Sequence, residues 1–314
     1  MNKLLFDFKK LKSRVIGDTF VKVYVDAWKN LTGRILKVGN HTDPLIILLK
    51  SHCSFRDRCF GMVYLLNSQS CCSRELFRTK MIFLRSLIFN ILLILSIVLI
   101  GLLSLPLLLG PRAGVAFIRD VWIKFIIGAL DVVVGLRHEV SGLENLPKQN
   151  IIIAAKHQSA WETLALHLIF KDPAIILKRE LLRLPILGWF ISKVGMVPIN
   201  RAGGGGTLKS MIETAERWSD SGRPIIIFPQ GTRVGVGENR RYHPGVFAIY
   251  KALDLPVVPV ALNSGVFWPK QSFTKKAGTI QLEIIEPIPP GLERKEFMDL
   301  LEIKIEKTSK NLLR

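Results

Sequence analysis

The sequence predicts an α/β fold, a mostly parallel sheet flanked by helices, preceded by an N-terminal membrane-anchoring helix or helical hairpin. Three observations predict it. From residue 137 to the C-terminus, short β-branched runs alternate with segments of helical period, the order of a parallel sheet covered by helices. The innermost runs, such as IIIAA at 151–155 and IIIF at 225–228, are apolar without alternation, as strands buried on both faces are. Ahead of them, residues 87–109 read LIFNILLILSIVLIGLLSLPLLL and contain no charge.

Composition narrows the partners. The chain has 314 residues, 49% of them hydrophobic, and a formal net charge of +19. That is enough for one good-sized domain plus an anchor, with a preference for anionic partners. Nucleic acid is disfavoured, because zinc-finger spacing, an RNP-like aromatic motif and a basic heptad region are all missing from the sequence. An anionic membrane surface and phosphorylated substrates remain. The four cysteines, Cys53, Cys59, Cys71 and Cys72, fit neither a zinc site nor a disulfide framework, and they read as incidental in a reducing compartment.

In chain order, residues 1–80 form a basic leader without clear periodicity. Met81 is followed by Arg85 and the apolar run, the layout of an N-terminal membrane segment, so two readings stand: a start at Met81, or a genuine leader. The run at 87–109 is long enough to cross a hydrocarbon core of about 30 Å and too long for a signal-peptide core. A second apolar stretch, 121–135, carries Lys124 and Asp131 and reads as an interfacial or returning helix, which completes an anchor over 81–136. Lys80 and Arg85 on one side match Arg112 and Arg119 on the other, so the flanks set no orientation. Residues 137–149 give an opening strand and turn, with Gly142 and Pro147 as breakers. Strands follow at 151–155, 174–177, 196–199, 224–228, 257–262 and 279–285. Helices are expected at 161–170, around 187–193, at 208–220, at 245–253 and from 295 onward.

The chemistry gathers where strands end. After the strand at 151–155 come Lys156, His157, Gln158 and Ser159, polar groups that a doubly buried strand does not keep in its core. Ser159 reads as the N-cap of the next helix and Glu162 as the reciprocal carboxylate of a capping box. A carboxylate five positions after a histidine, in a tight turn, gives a general base with its orienting partner; a structural histidine beside a capped helix has the same letters. The second stretch, IIIFPQGTR at 225–233, ends in a turn expected to be exposed, which offers Gln230, Gly231, Thr232 and Arg233, whose guanidinium suits a phosphate. Lys178 and Arg201 follow two further strands, and between them Leu181, Leu184, Pro185, Leu187, Trp189 and Phe190 form an apolar ledge. Carboxyl ends of parallel strands share one edge, so all of these cations and His157 are expected along one crevice. The glycine run at 203–206 lacks the phosphate-loop pattern and reads as a loop leading into a helix. Metal-ligand spacing is not found, and the expected site uses neither metal nor cofactor.

Taken in order, these motifs resemble the glycerophospholipid acyltransferase superfamily, and most closely the bacterial 1-acyl-sn-glycerol-3-phosphate (lysophosphatidic acid) acyltransferases. HQSAWE at 157–162 matches the family's H-x4-D motif, 178–201 its second block, FPQGTR at 228–233 its FPEGTR block, and VVPVALNSG at 257–265 its fourth. Glu162 stands where the family has aspartate, and Gln230 where it has glutamate. The resemblance implies an acyltransferase domain over 137–314 that acylates the sn-2 hydroxyl of lysophosphatidic acid to phosphatidic acid. The donor would be acyl carrier protein or acyl-CoA. His157 and Glu162 would be catalytic, Arg233, Arg201 and Lys178 would hold the phosphate, and Gln230, Gly231 and Thr232 would bind substrate. It places the protein at the bacterial inner membrane, with the site facing the cytoplasm. Other lysolipids, such as lyso-ornithine lipid or lysophosphatidylglycerol, are the alternative acceptors. A non-catalytic phospholipid-binding protein is the reading from another class.

Overall fold

A computed structural model describes residues 61–200 and 205–313. The chain divides into two units, Met1–Leu84 and Arg85–Arg314, and the second carries the fold. The expected leader at 1–80 falls largely outside the described residues.

In the second unit seven strands form one sheet: β1 Leu136–Ser141, β2 Ile152–Ala155, β3 Ala174–Lys178, β4 Val197–Ile199, β5 Ile225–Ile227, β6 Val257–Leu262 and β7 Gly278–Ile284. Their spatial order is β1-β7-β6-β2-β5-β3-β4. The pairs from β6 across to β4 are parallel, whereas β7 runs antiparallel to β6 and parallel to β1. The mostly parallel sheet expected from sequence is therefore present, with β1 and β7, together at one edge, reversed. β2 lies between β5 and β6, in register Ile152 to Ile225 and Ile152 to Val257.

Eight helices accompany the sheet among the described residues: α1 Gly61–Leu103, α2 Arg112–Ala129, α3 Trp161–Ile169, α4 Leu187–Val194, α5 Gly205–Asp220, α6 Gly245–Leu253, α7 Ser264–Phe267 and α8 Arg294–Asn311. The period of two along each strand sorts its side chains between two cores. Ile153, Ala155, Ile226, Val258 and Val260 join one face with Phe89 of α1, Val115 and Ile126 of α2, and Trp161 and Leu166 of α3. Ile152, Ala154, Ile225 and Val257 join the other with Met211 of α5, Ile249 and Tyr250 of α6, and Phe297 and Leu301 of α8. Each fully buried side chain of this size contributes about 1.5–3 kcal/mol. Together they fix β2 at the centre of three layers.

The second apolar stretch packs against the sheet on one face. Ile123, Ile126, Leu130 and Val134 are buried in the first core, so α2 and the π-turn after it are part of the domain's packing, and position 137 is not a packing boundary. Phe117, Val121 and Phe125, spaced four apart, form an exposed apolar stripe on the outer side of α2. The run at 87–109 is helical only to Leu103; Ser104 and Pro106 turn it into a short 3-10 helix, Leu105–Leu109. The segment Phe77–Leu103 is long and apolar enough to cross a membrane. One face of α1 nevertheless docks on the domain. Phe89 is wholly buried, and Asn90 Nδ2 donates to the Phe273 carbonyl at 3.1 Å. Lys275 Nζ donates to Asn90 Oδ1, and Gly101 leaves room for the Ile186 side chain.

At the amino edge of the sheet, a carboxylate and three guanidiniums tie α2, β3 and β5 together. Asp172 receives Arg112 Nη2 at 2.5 Å and Arg119 Nη1 at 2.8 Å. Arg223, just before β5, donates to the carbonyls of Asp172, Pro173 and Gly195.

Candidate active site

The opposite, carboxyl edge is where β2 runs out. The Lys156 amide still continues the ladder to the Val260 carbonyl at 2.9 Å. One residue later a side chain takes over the rung, as the His157 amide donates to Gln230 Oε1 at 3.1 Å. The Val234 amide donates to the His157 carbonyl at 2.8 Å, so the main chain of His157 is bound on both sides by the 228–234 turn.

The expected pair is formed. His157 Nδ1 and Glu162 Oε1 lie 2.9 Å apart, and Glu162 is fully buried. The same oxygen accepts the amides of Gln158 at 2.6 Å and Ser159 at 2.7 Å, and Oε2 accepts the Ser264 hydroxyl at 2.9 Å. Burial alone raises the Glu162 pKa; the hydrogen bond and charge of His157 and the Ser159 amide outweigh it and hold the carboxyl below its usual range. An ionised carboxylate at Nδ1 fixes the tautomer with its proton there and makes Nε2 the basic nitrogen. The imidazole stacks on Phe228, ring centroids 4.1 Å apart at 20°.

Ser159 and Glu162 share the capping work, though not as a symmetric box. Glu162 accepts the Ser159 amide as expected, but Ser159 Oγ accepts from Trp161, only two residues on, at 2.8 Å. The helix begins at Trp161 itself, which brings the carboxylate close enough to reach the imidazole.

The FPQGTR turn lies alongside, because β5 neighbours β2. Gly231 has φ +66, and a Cβ there would come within 2.6 Å of the His243 ring, so glycine is required on two counts. Its amide closes a turn onto the Phe228 carbonyl at 2.9 Å. Gln230, expected at an exposed position, is wholly buried: Oε1 holds His157 and Nε2 donates to Glu306 Oε1 at 3.4 Å. Arg233 is partly buried, which lowers its pKa, and the charge of Glu162 acts against that shift. Among the described residues no carboxylate forms an ion pair with it. Thr232 stands between them, half-buried. Lys178 is exposed at the end of β3, two strands across from β2. Arg201 lies outside the described residues. Of the apolar ledge, Leu181 and Trp189 are exposed. A cavity of about 320 Å³ lined by Arg179, Leu182, Pro198, Asn200, Gly206 and Ser210 opens beside the ends of β3 and β4, away from His157. Among the described residues no three His, Cys, Asp or Glu side chains converge to hold a metal.

Sequence reasoning missed four contributors. Ser264 follows the all-buried β6 and could have been noticed as a short polar residue at a strand end. Gln158, whose Oε1 accepts the Gly265 amide at 3.0 Å, was visible within its motif. Lys156 and its partner Glu306, some 150 residues apart, gave no local signal.

A mostly parallel sheet thus carries at its carboxyl edge a carboxylate-backed histidine and a guanidinium with no ion pair among the described residues, an arrangement that can support proton abstraction beside an anionic group. A family model described as Acyltransferase matches residues 137–263. The 1-acyl-sn-glycerol-3-phosphate acyltransferase of Pseudomonas aeruginosa is 37% identical over 203 residues, 64% of this chain and 79% of that one. Human 1-acyl-sn-glycerol-3-phosphate acyltransferase alpha is 27% identical over 158 residues, 49% of this chain and 56% of its own length. The crystal structure of the Thermotoga maritima 1-acyl-sn-glycerophosphate (LPA) acyltransferase, PlsC, superposes with a TM-score of 0.61 at 25% identity, covering 73% of this chain and 95% of that one. The chain belongs to the 1-acyl-sn-glycerol-3-phosphate acyltransferase family.

Proposed function

We propose that this enzyme transfers an acyl group from a thioester to the sn-2 hydroxyl of 1-acyl-sn-glycerol 3-phosphate, giving phosphatidic acid for phospholipid synthesis. The observation that carries the reading is the His157–Glu162 pair, in which a buried carboxylate with four donors fixes the imidazole tautomer. Nε2 of His157 takes the hydroxyl proton as the oxygen attacks the thioester carbonyl, and the thiol departs. General-base help of this kind is worth about 10²- to 10⁴-fold. Arg233 holds the acceptor phosphate, with Lys178 assisting from the end of β3; Arg201, outside the described residues, is the third cation assigned to it. We assign the oxyanion to the amides of Thr232 and Arg233, which meet no partner among the described residues, because the Gly231 amide is already bound. Gln230 supports the site from beneath, and Gly231 gives the turn its shape. No cofactor enters the step.

The lipid acceptor argues for a membrane-bound enzyme. Ile91, Leu95, Leu99 and Leu102 of α1 and Phe117, Val121 and Phe125 of α2 are exposed, and they form the face we assign to lipid. The net charge of +19 favours an anionic leaflet, and the cytoplasmic origin of acyl donors sets the site on the cytoplasmic side of the inner membrane. Residues 81–136 serve as anchor and 137–314 as the acyltransferase domain, with α2 shared between them.

The test is turnover of labelled lysophosphatidic acid by purified protein, with acyl-CoA and acyl carrier protein as alternative donors and lyso-ornithine lipid and lysophosphatidylglycerol as competing acceptors. Phosphatidic acid as the main product is expected. A higher kcat/KM on either competitor would reassign the acceptor.

A further inference from the structure

Beneath the catalytic turn lies a second charged cluster that touches no reacting atom in the proposed step. Lys156, the residue before His157, is buried, and its Nζ donates to Glu306 Oε2 on α8. Glu306 Oε1 accepts the Tyr242 hydroxyl at 3.0 Å and Gln230 Nε2 at 3.4 Å. Gln230 Oε1 in turn accepts the His157 amide. The chain of bonds thus runs from the C-terminal helix, outside the residues matched by the family model, to the main chain of the proposed base.

The geometry makes a specific demand at position 230. Its side chain must accept from the His157 amide at one end and donate to a carboxylate at the other, which a neutral amide does and an ionised carboxylate cannot. Lys156 and Glu306 balance in charge, so any added anion would sit unpaired in a site where Gln230 is wholly inaccessible to solvent. We infer that Gln230, Glu306 and Lys156 are positioning residues, which set the His157 backbone and through it the ring, and that position 230 is an amide because Glu306 faces it. This rests on His157 being the base.

The charged and titratable groups of this cluster are Glu306, Glu302 and Asp299 on α8, Lys156 and His157 after β2, and Arg241, Tyr242 and His243 ahead of α6, the last with its ring against Gly231. Burial and the charge of Glu306 push the Tyr242 hydroxyl up, so it stays a donor throughout. In Gln230→Glu, the new carboxyl faces Glu306 and is disfavoured as an anion; protonated, it can donate as the amide did. Damage should therefore be greatest at high pH.

The experiment compares the parent, Gln230→Glu, Glu306→Gln and the double variant Gln230→Glu/Glu306→Gln, which restores one carboxylate and one amide opposite Lys156. Displacement of the base predicts that kcat in Gln230→Glu falls about tenfold or more, with KM for acceptor nearly unchanged. The ratio of variant to parent kcat should rise as pH falls from about 8 to about 6. The double variant should recover most of the loss. A second readout needs no turnover: in protein carrying 15N-histidine, the Nδ1 proton resonance of His157 should shift in Gln230→Glu and return in the double variant. A double variant no better than the single one in kcat and resonance, or in folded yield if the single variant fails to fold, overturns the inference. So does a change confined to KM, which would put Gln230 on the substrate. Should the parent prove inactive on lysophosphatidic acid, the proposed function fails, while the resonance still decides whether the cluster positions His157.

Discussion

His157 and His167 stand ten residues apart at opposite ends of α3, and both are buried. His157 faces a carboxylate that bonds Nδ1. His167 sits at the amino edge of the sheet. Burial, then the charge of Arg119, pushes its pKa down to about 3; Asp172 acts against that shift and Arg223 adds to it. Among the described residues its Nδ1 meets no hydrogen-bond partner. Burial is common to the two rings, so burial does not mark out the proposed base; the carboxylate does. The two edges differ in the same sense. At the amino edge three guanidiniums converge on Asp172; Arg112 and Arg223 also donate to carbonyls that join segments, and Arg119 donates to Asp120. At the carboxyl edge Arg233 stays without an ion pair among the described residues, available to an anion from outside.

The largest effect that could break this contrast is His157→Ala, which should lower turnover of lysophosphatidic acid per folded molecule by about 10²- to 10⁴-fold, with some loss of stability because the ring also stacks on Phe228 and pairs the buried Glu162. Near-normal turnover by that variant would remove the base. Next comes Asp172→Asn, which leaves three guanidiniums facing a neutral side chain. It should cost about 3 kcal/mol of stability, at the lower end for a buried pair because Asp172 keeps 32% of its exposure. Activity per folded molecule should be retained, and a lost kcat with an intact denaturation curve would make the amino edge functional. Arg233→Ala should raise KM for the phosphorylated acceptor by about tenfold, the worth of a charged hydrogen bond, with a smaller change in kcat. An unmoved KM would send the phosphate elsewhere on the edge. The smallest effect is acid sensitivity through His167. Its folded pKa lies below the unfolded value, so the unfolded chain binds the extra proton and stability falls as pH drops below about 6.5, by about 1.4 kcal/mol per pH unit. His167→Leu should flatten that slope in urea titrations between about pH 6.5 and about pH 5; an unchanged slope would show that other groups carry it.

Much of this was legible along the chain, for local reasons. Gly245–Leu253 and Val257–Leu262 begin and end where the pattern places them, because Pro244, Asp254 and Pro256 interrupt the backbone between two strongly periodic segments. His157 and Glu162 could be paired because five residues across a turn is a local distance. What could not be read depends on the fold closing. β1 looks like any exposed strand, since its partner β7 lies about 140 positions later and pairs in parallel. The second apolar stretch gives no sign that Ile123 and Ile126 turn inward while Phe125 turns outward, because both faces of α2 are apolar. Gln230 looked solvent-facing for the same reason: its two partners, His157 and Glu306, come from different parts of the chain.

The one-sided docking of α1 bears on how this protein can be handled. The part of α1 from Arg85 onward is not a removable tail, since Phe89 stands edge-on to Trp268 at 5.7 Å and Asn90 receives the ammonium of Lys275. Cutting it away would bare that tryptophan and leave a buried lysine with one acceptor fewer, its bond to the Phe273 carbonyl remaining. A detergent-free version should be sought instead by repainting the outward positions, Ile91, Ile94, Leu95, Val98 and Leu99, with polar residues while leaving Ser86, Phe89, Asn90 and Gly101 untouched. Such a chain should run as a monodisperse species on size exclusion, whereas a deletion up to Leu103 should aggregate.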